Sequence, residues 1–252
     1  MKQEIALNVK KSRNIRWGLL CVCLISMLIL CSFGYAADVS TFAGGEIDGH
    51  GQGFSYLGVD LTQNIDKTIA VSARLIPNYL TYQYYSGNDT IRANSPGLST
   101  VAGIKLFWDK TMLGIWGGLE FRNTTLSPDD QSASVRGSTS AGLVQGEFDT
   151  WLPTRTNLNI FASFSGTSDF SYERGRIKQQ ITNLDFQKPY TLNVGVEQFY
   201  GSNADFHQTG GGLYVELFHI PQKISIALRG GLKQDSTFDG GFYGGLELYK
   251  GF

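Results

Sequence analysis

From residue 53 to the C-terminus, apolar and polar side chains alternate with a period of two. The clearest stretch sets Leu113, Ile115, Gly117, Leu119 and Phe121 on one face and Gly114, Trp116, Gly118, Glu120 and Arg122 on the other. A helix would scatter those apolar residues around its circumference and would also carry glycines in its interior. The segment therefore reads as a strand. Ile224, Ile226, Leu228, Gly230 and Leu232 repeat the rhythm against Ser225, Ala227, Arg229, Gly231 and Lys233. So do the stretches around 69–75, 157–165 and 190–197. No helical period emerges anywhere in 37–252.

The pattern predicts about twelve strands, near 39–48, 53–64, 67–86, 97–108, 112–125, 137–150, 156–169, 172–184, 189–200, 207–220, 223–236 and 239–252. Connections after the second, fourth, sixth and tenth strands are short. The longest, 87–96 and 126–136, follow odd strands. Short turns on one side and longer loops on the other is the layout of an outer-membrane barrel with both termini periplasmic. The connections after strands one, seven, eight and eleven fit less cleanly. Weak alternation in the eighth strand leaves ten or fourteen strands open.

A soluble β-sandwich alternates too, with its apolar face inward, so alternation alone does not choose. Strand length does more: most of these strands exceed the usual 5–6 residues of soluble sheets and the 9–11 needed to cross a bilayer. Aromatic residues near strand ends, such as Trp108, Tyr190 and Phe252, fall where interfacial girdles belong. The chain also ends on Leu246, Leu248 and a terminal Phe252, which resembles the last-strand signal read by the barrel assembly machinery. Lys250 breaks that apolar phase, and near an interface its ammonium can snorkel. An all-β, antiparallel transmembrane β-barrel is the fold expected, closed because lipid supplies no hydrogen bonds to a sheet edge.

Composition sharpens this once the N-terminus is set apart. Lys2, Lys10, Lys11, Arg13 and Arg16 precede an apolar run from Trp17 to Cys31, followed by Gly34 and Ala36. This reads as a secretory signal peptide over 1–36, with one barrel domain over 37–252. Removing 36 of the 252 residues, with five of 21 basic and one of 22 acidic groups, leaves a 216-residue chain of net charge −5. All three cysteines leave with the leader, which excludes a disulfide scaffold, a thiol enzyme and a cysteine zinc site. An acidic chain without a basic cluster is also a poor nucleic-acid partner.

Catalytic arrangements are scarce. His50, His207 and His219 are the only histidines, and none has metal-site spacing. His219 falls at the turn-proximal end of an outward face, and His207 at the start of its strand. Gly49–Gly53 is glycine-rich but has no following helix, so it reads as a turn rather than a phosphate loop. Asp129-Asp130 either binds a divalent cation or simply stands in water. No catalytic, cofactor or metal residues are assigned.

The inward charge is the more informative set. Trp116, Glu120, Arg122, Glu147, Arg174, Arg176, Glu197, Tyr214, Glu216, Arg229, Lys233 and Glu247 are predicted to share a lumen, together with Tyr243. A barrel of about twelve strands is too wide to fill with aliphatic side chains. Mixed signs favour cross-barrel pairing, because unpaired charge in a confined lumen is costly. Either a salt-bridged plug or a narrow hydrophilic pore follows, and charge with aromatics also suits a sugar chain.

The middle of the chain carries a family resemblance. Gly118-Leu-Glu120-Phe-Arg122 leads into Leu126-Ser-Pro-Asp-Asp130 and Val135-Arg-Gly137, then Gly142, Gln145-Gly-Glu147 and Tyr172-Glu-Arg174-Gly-Arg176. With Gly44-Gly45-Glu46 near the start and the glycine-aromatic last strand, this resembles the bacterial cellulose biosynthesis protein BcsS family. The motifs thin over the last third. The resemblance implies an exported protein working beside cellulose synthesis and brings no catalytic residues.

The expected function is a non-enzymatic outer-membrane barrel assisting cellulose or exopolysaccharide biosynthesis or secretion. Its expected partners are outer-membrane lipid, a polysaccharide chain with its secretion machinery, and the barrel assembly machinery. A small general porin and a barrel enzyme acting on lipid or lipopolysaccharide are the alternatives.

Overall fold

Alternation becomes architecture by giving each strand one face for lipid and one for the interior. The computed structural model describes residues 37–133, 135–181, 189–204 and 206–252. The predicted leader over 1–36 lies outside the described residues, as does the predicted end of the eighth strand at 182–184.

Twelve strands form: β1 (Asp38–Asp48), β2 (Gly53–Asn64), β3 (Ile69–Ser86), β4 (Asp89–Trp108), β5 (Thr111–Ser127), β6 (Gly137–Trp151), β7 (Thr156–Ser165), β8 (Phe170–Gln180), β9 (Tyr190–Ser202), β10 (His207–His219), β11 (Ile224–Asp235) and β12 (Gly241–Gly251). Each pairs antiparallel with its neighbours in sequence, and β12 returns to β1 to close the barrel. The closing ladder runs from Ser40↔Gly251 to Asp48↔Tyr243, so both ends of the barrel chain share one rim. Closure leaves no edge whose N–H and C=O groups would face hydrocarbon.

The outward face is an apolar belt. Ile115, Leu213, Leu228 and Leu232 are each more than half exposed on it. The inward face holds Trp116, Glu120, Arg176, Glu197, Arg229 and Lys233, all buried. This inverts the distribution expected in a water-soluble sandwich, where charge faces out.

One predicted loop is a strand. Residues 87–96 carry Gly87, Asn88, Asn94 and Pro96, which read as loop formers. Instead β3 and β4 run together to Ser86↔Asp89 and turn over two residues, Gly87 and Asn88. Gly87 takes φ 61°, the left-handed conformation such a turn requires. Ile91, Ala93 and Ser95 are almost fully buried, and that burial outweighs the local turn preference. The long loop remaining on this rim is 128–136.

The prolines inside these strands sit where a ladder is interrupted. Between β4 and β5 the pairing passes from Asn94↔Thr125 to Gly97↔Arg122, skipping Pro96. Between β2 and β3 it passes from Tyr56↔Asn78 to Val59↔Leu75, skipping Pro77. The N–H and C=O of a strand residue point to the same neighbour, so a proline, with no N–H, interrupts the ladder on that side and leaves the other partner strand paired.

Candidate lumen network

The inward positions build a polar interior in two halves. Its first half spans β8 to β1. Glu197 on β9 is completely buried and accepts from Arg176 Nε (2.8 Å), Arg229 Nη1 (3.2 Å) and the Tyr243 hydroxyl (2.9 Å). Arg176 then reaches across the lumen from β8 to β12, where Nη1 and Nη2 grip Glu247 at 2.7 and 2.6 Å. Arg174 adds a longer contact to Glu247 (3.4 Å), and Arg229 donates to Glu46 on β1. The Arg176 guanidinium stands 4.4 Å from the ring centre of Tyr214. A planar fork that meets a carboxylate with two parallel bonds fixes geometry as well as charge.

The second half spans β2 to β7. Asp60 accepts from Arg74 Nε (2.8 Å), Lys105 Nζ (3.0 Å) and Ser72 Oγ (2.7 Å). Arg74 crosses to Glu147 on β6 (3.3 Å) and stacks 3.6 Å from the ring centre of Trp116. The Trp116 indole donates to Ser72 Oγ at 3.1 Å, so this fully buried ring is satisfied as well as packed. Glu120 pairs with Arg122 at 2.7 Å and accepts from Thr167 at 2.6 Å and from Ser165. Arg122 also donates to Asn78 Oδ1 (2.9 Å).

Smaller pairs sit towards the rims. Lys178 binds Glu216 at 2.7 Å, supported by Asn193 and Ser225. Lys233 binds Asp48 at 2.8 Å near the opposite rim. Nine of the twelve residues predicted for the lumen line its cavity, and the other three, Trp116, Glu197 and Arg229, are buried. Sequence reasoning missed Glu46, Asp48, Arg74 and Lys178, which pair with members of that set, and Asp60 and Lys105, which join the network through Arg74. Strand parity places each of these inward, and parity was the signal available.

Between the two halves lies a cavity of about 680 Å³. Its lining runs from Ser40, Asp149 and Ser225 towards the terminus rim to Gln52, Thr81 and Gln208 towards the other. Among the described residues no group of three or more His, Cys, Asp or Glu could hold a metal ion. His50 stacks on Phe238 at 4.1 Å and His219 lies 4.6 Å from Tyr190, so both rings sit against aromatics near the rims.

Asp129 and Asp130 are engaged within the protein. Arg136 grips Asp129 with two bonds (2.7 and 2.8 Å), holding its carboxyl below the usual range. Asp130 accepts from the Ser132 hydroxyl (2.6 Å) and amide (3.0 Å), and from the Tyr84 hydroxyl (3.1 Å), which ties the loop to β3. The Ser132 bonds lead in pushing its pKa down to about 2. A depressed carboxyl stabilises above its unfolded value and loses that contribution as pH falls through its folded one. The Ser132 amide shift, followed by NMR in micelles, should therefore stay constant above about pH 4 and titrate near 2. A midpoint at the ordinary aspartate value would contradict this contact, and Asp130→Asn should abolish the step.

An outer membrane channel from Pseudomonas putida F1 superposes with a TM-score of 0.56 at 11% identity, covering 87% of this chain and 97% of that one. The β domain of the Bordetella autotransporter Brka gives a TM-score of 0.48 at 12% identity, covering 86% and 98%. No curated protein shows significant sequence similarity to the chain. The family model for cellulose biosynthesis protein BcsS matches residues 37–252, the whole of the barrel. The chain thus belongs to the BcsS family of cellulose biosynthesis proteins.

Proposed function

We propose that this protein is a non-enzymatic outer-membrane barrel that assists the production or export of cellulose, with both termini in the periplasm and the 128–136 loop outside. Family membership supplies the cellulose context. The carrying observation for a non-enzymatic role is that the ionised lumen groups are committed to each other, as in the Arg176–Glu197–Glu247 cluster. Groups so committed lack the freedom a general acid, base or nucleophile needs. The positions of the histidines support the same reading: none of the hydrogen bonds described joins a histidine ring to a serine hydroxyl or a carboxylate. On this reading β12, with Leu246 and Leu248 on its outward face, is the strand handed to the barrel assembly machinery.

Deleting the gene in its host and measuring dye-binding cellulose at the cell surface tests the proposal. A reduced amount or altered crystallinity is expected, restored by the full chain in trans. Unchanged cellulose on both measures would sink the reading. A second reading, a narrow solute channel, is favoured by the cavity lining that extends towards both rims and by likeness in fold to an outer membrane channel. Steady single-channel conductance of the purified protein in planar bilayers would support it, and a silent barrel would favour the accessory role.

A further inference from the structure

The lumen holds a second feature besides its ion pairs: aromatic rings laid flat on its wall. Phe42 lies across Gly58, where an added Cβ would fall 2.2 Å from the ring. Tyr56 lies across Gly44 in the same way, at 2.6 Å. Each glycine faces its ring across a strand pair, Phe42↔Gly58 and Gly44↔Tyr56. A ring bedded on glycine turns one face to the backbone and the other towards the lumen, where the Arg74 guanidinium lies 6.0 Å from the Phe42 ring centre. Phe54 continues the row, 5.8 Å from Tyr56.

Six strands further round the barrel, on β7 and β8, Phe161 and Tyr172 form a second pair 6.4 Å apart. In a closed ring of twelve strands this is the opposite wall. All five rings line the same cavity of about 680 Å³, within the range of about 300–1,000 Å³ that holds small-molecule ligands. Two polar atoms among them are buried without a protein partner, Gln145 Oε1 and Arg174 Nε. Among the described residues the lining carries as many acidic as basic side chains, from Glu46 and Glu247 to Arg74 and Arg174. Such a lining offers no net charge to attract an anionic lipid or acidic polysaccharide.

A ligand for this slot has apolar ring faces, hydroxyl-bearing edges and no charge. A β-1,4-linked glucan fits, because its pyranose units form a flat ribbon with C–H faces on both sides and equatorial hydroxyls at the edges. An α-linked glucan coils and presents no such ribbon. We propose that the slot between Phe42, Phe54 and Tyr56 on one wall and Phe161 and Tyr172 on the other binds a short segment of neutral β-linked glucan. The rings stack on the sugar faces, while Gln145 and Arg174 meet the hydroxyl edges. This inference rests on the cellulose reading above and names the ligand of its lumen.

Calorimetric titration of cellohexaose into the barrel in detergent micelles tests it, with maltohexaose as the α-linked counterpart. Saturable binding of cellohexaose alone is expected. Tyr56→Leu and Phe161→Leu should each weaken it roughly tenfold, the loss of one good stacking contact. Phe164→Leu, on the outward face of β7 and outside the cavity lining, should leave affinity unchanged. Unboiled gel mobility confirms that each variant is folded. Absence of cellohexaose binding to folded wild type, equal binding of maltohexaose, or equal weakening by all three variants would overturn the proposal. Failure here with a cellulose defect in the deletion strain removes the glucan slot and keeps the cellulose role. Binding without any such defect does the reverse.

Discussion

Replacing Arg176 by methionine is expected to destabilise the barrel by about 3–5 kcal/mol, the cost of leaving buried partners without their counter-ion. Arg176 holds Glu197, which is completely buried, and Glu247 on the far side of the lumen. Methionine keeps much of the volume against Tyr214 and removes every donor. The two carboxylates are then left facing each other with only Arg174 and Arg229 between them. Urea titration in lipid vesicles, read as the fraction of fast-migrating unboiled band, measures the change. Adding Glu247→Gln to Arg176→Met should recover part of the loss, because the second substitution removes one stranded charge. A single variant within about 1 kcal/mol of wild type would mean that water screens these groups and that the network does not brace the lumen.

The second large effect belongs to the outer face. Leu228 is 62% exposed near the middle of β11, flanked across the strands by Val215 and Leu246. Soluble monomers rarely expose contiguous apolar patches larger than a few hundred Å², so a belt of this kind requires lipid. Leu228→Arg should cost about 2–4 kcal/mol at the bilayer midplane, whereas Phe242→Arg, near the rim, should cost about 0–1. The same vesicle assay resolves the two. Equal and negligible costs would be the behaviour of a surface in water.

How much of this was legible in the sequence depends on which interaction decides each feature. Strand positions and facing were legible, because burial on a pleated sheet repeats every second residue, as at Trp116, Glu120 and Arg122 on β5. The tall β3–β4 hairpin was not. Asn88, Asn94 and Pro96 carry local turn preferences, and only pairing with β3 shows that Ile91 and Ala93 are buried. Lumen membership was legible by parity, whereas partnership was not. Arg176 finds Glu247 at a separation of 71 residues because β8 and β12 face across the barrel, and register around the whole ring decides such meetings. Glycines show the same limit. Gly49–Gly53 reads as a turn from sequence, but the bedding of Phe42 on Gly58 depends on the β1–β2 register.

A closed barrel in the outer membrane has lipid outside and a paired, ring-lined lumen within. Gel mobility of the protein from isolated outer membranes reports both closure and location. A closed barrel resists dodecyl sulfate until heated, so the unboiled protein should run faster than the boiled one and should fractionate with the outer membrane. Release with the soluble periplasmic contents, at one mobility before and after boiling, would mean that the protein is not a membrane barrel.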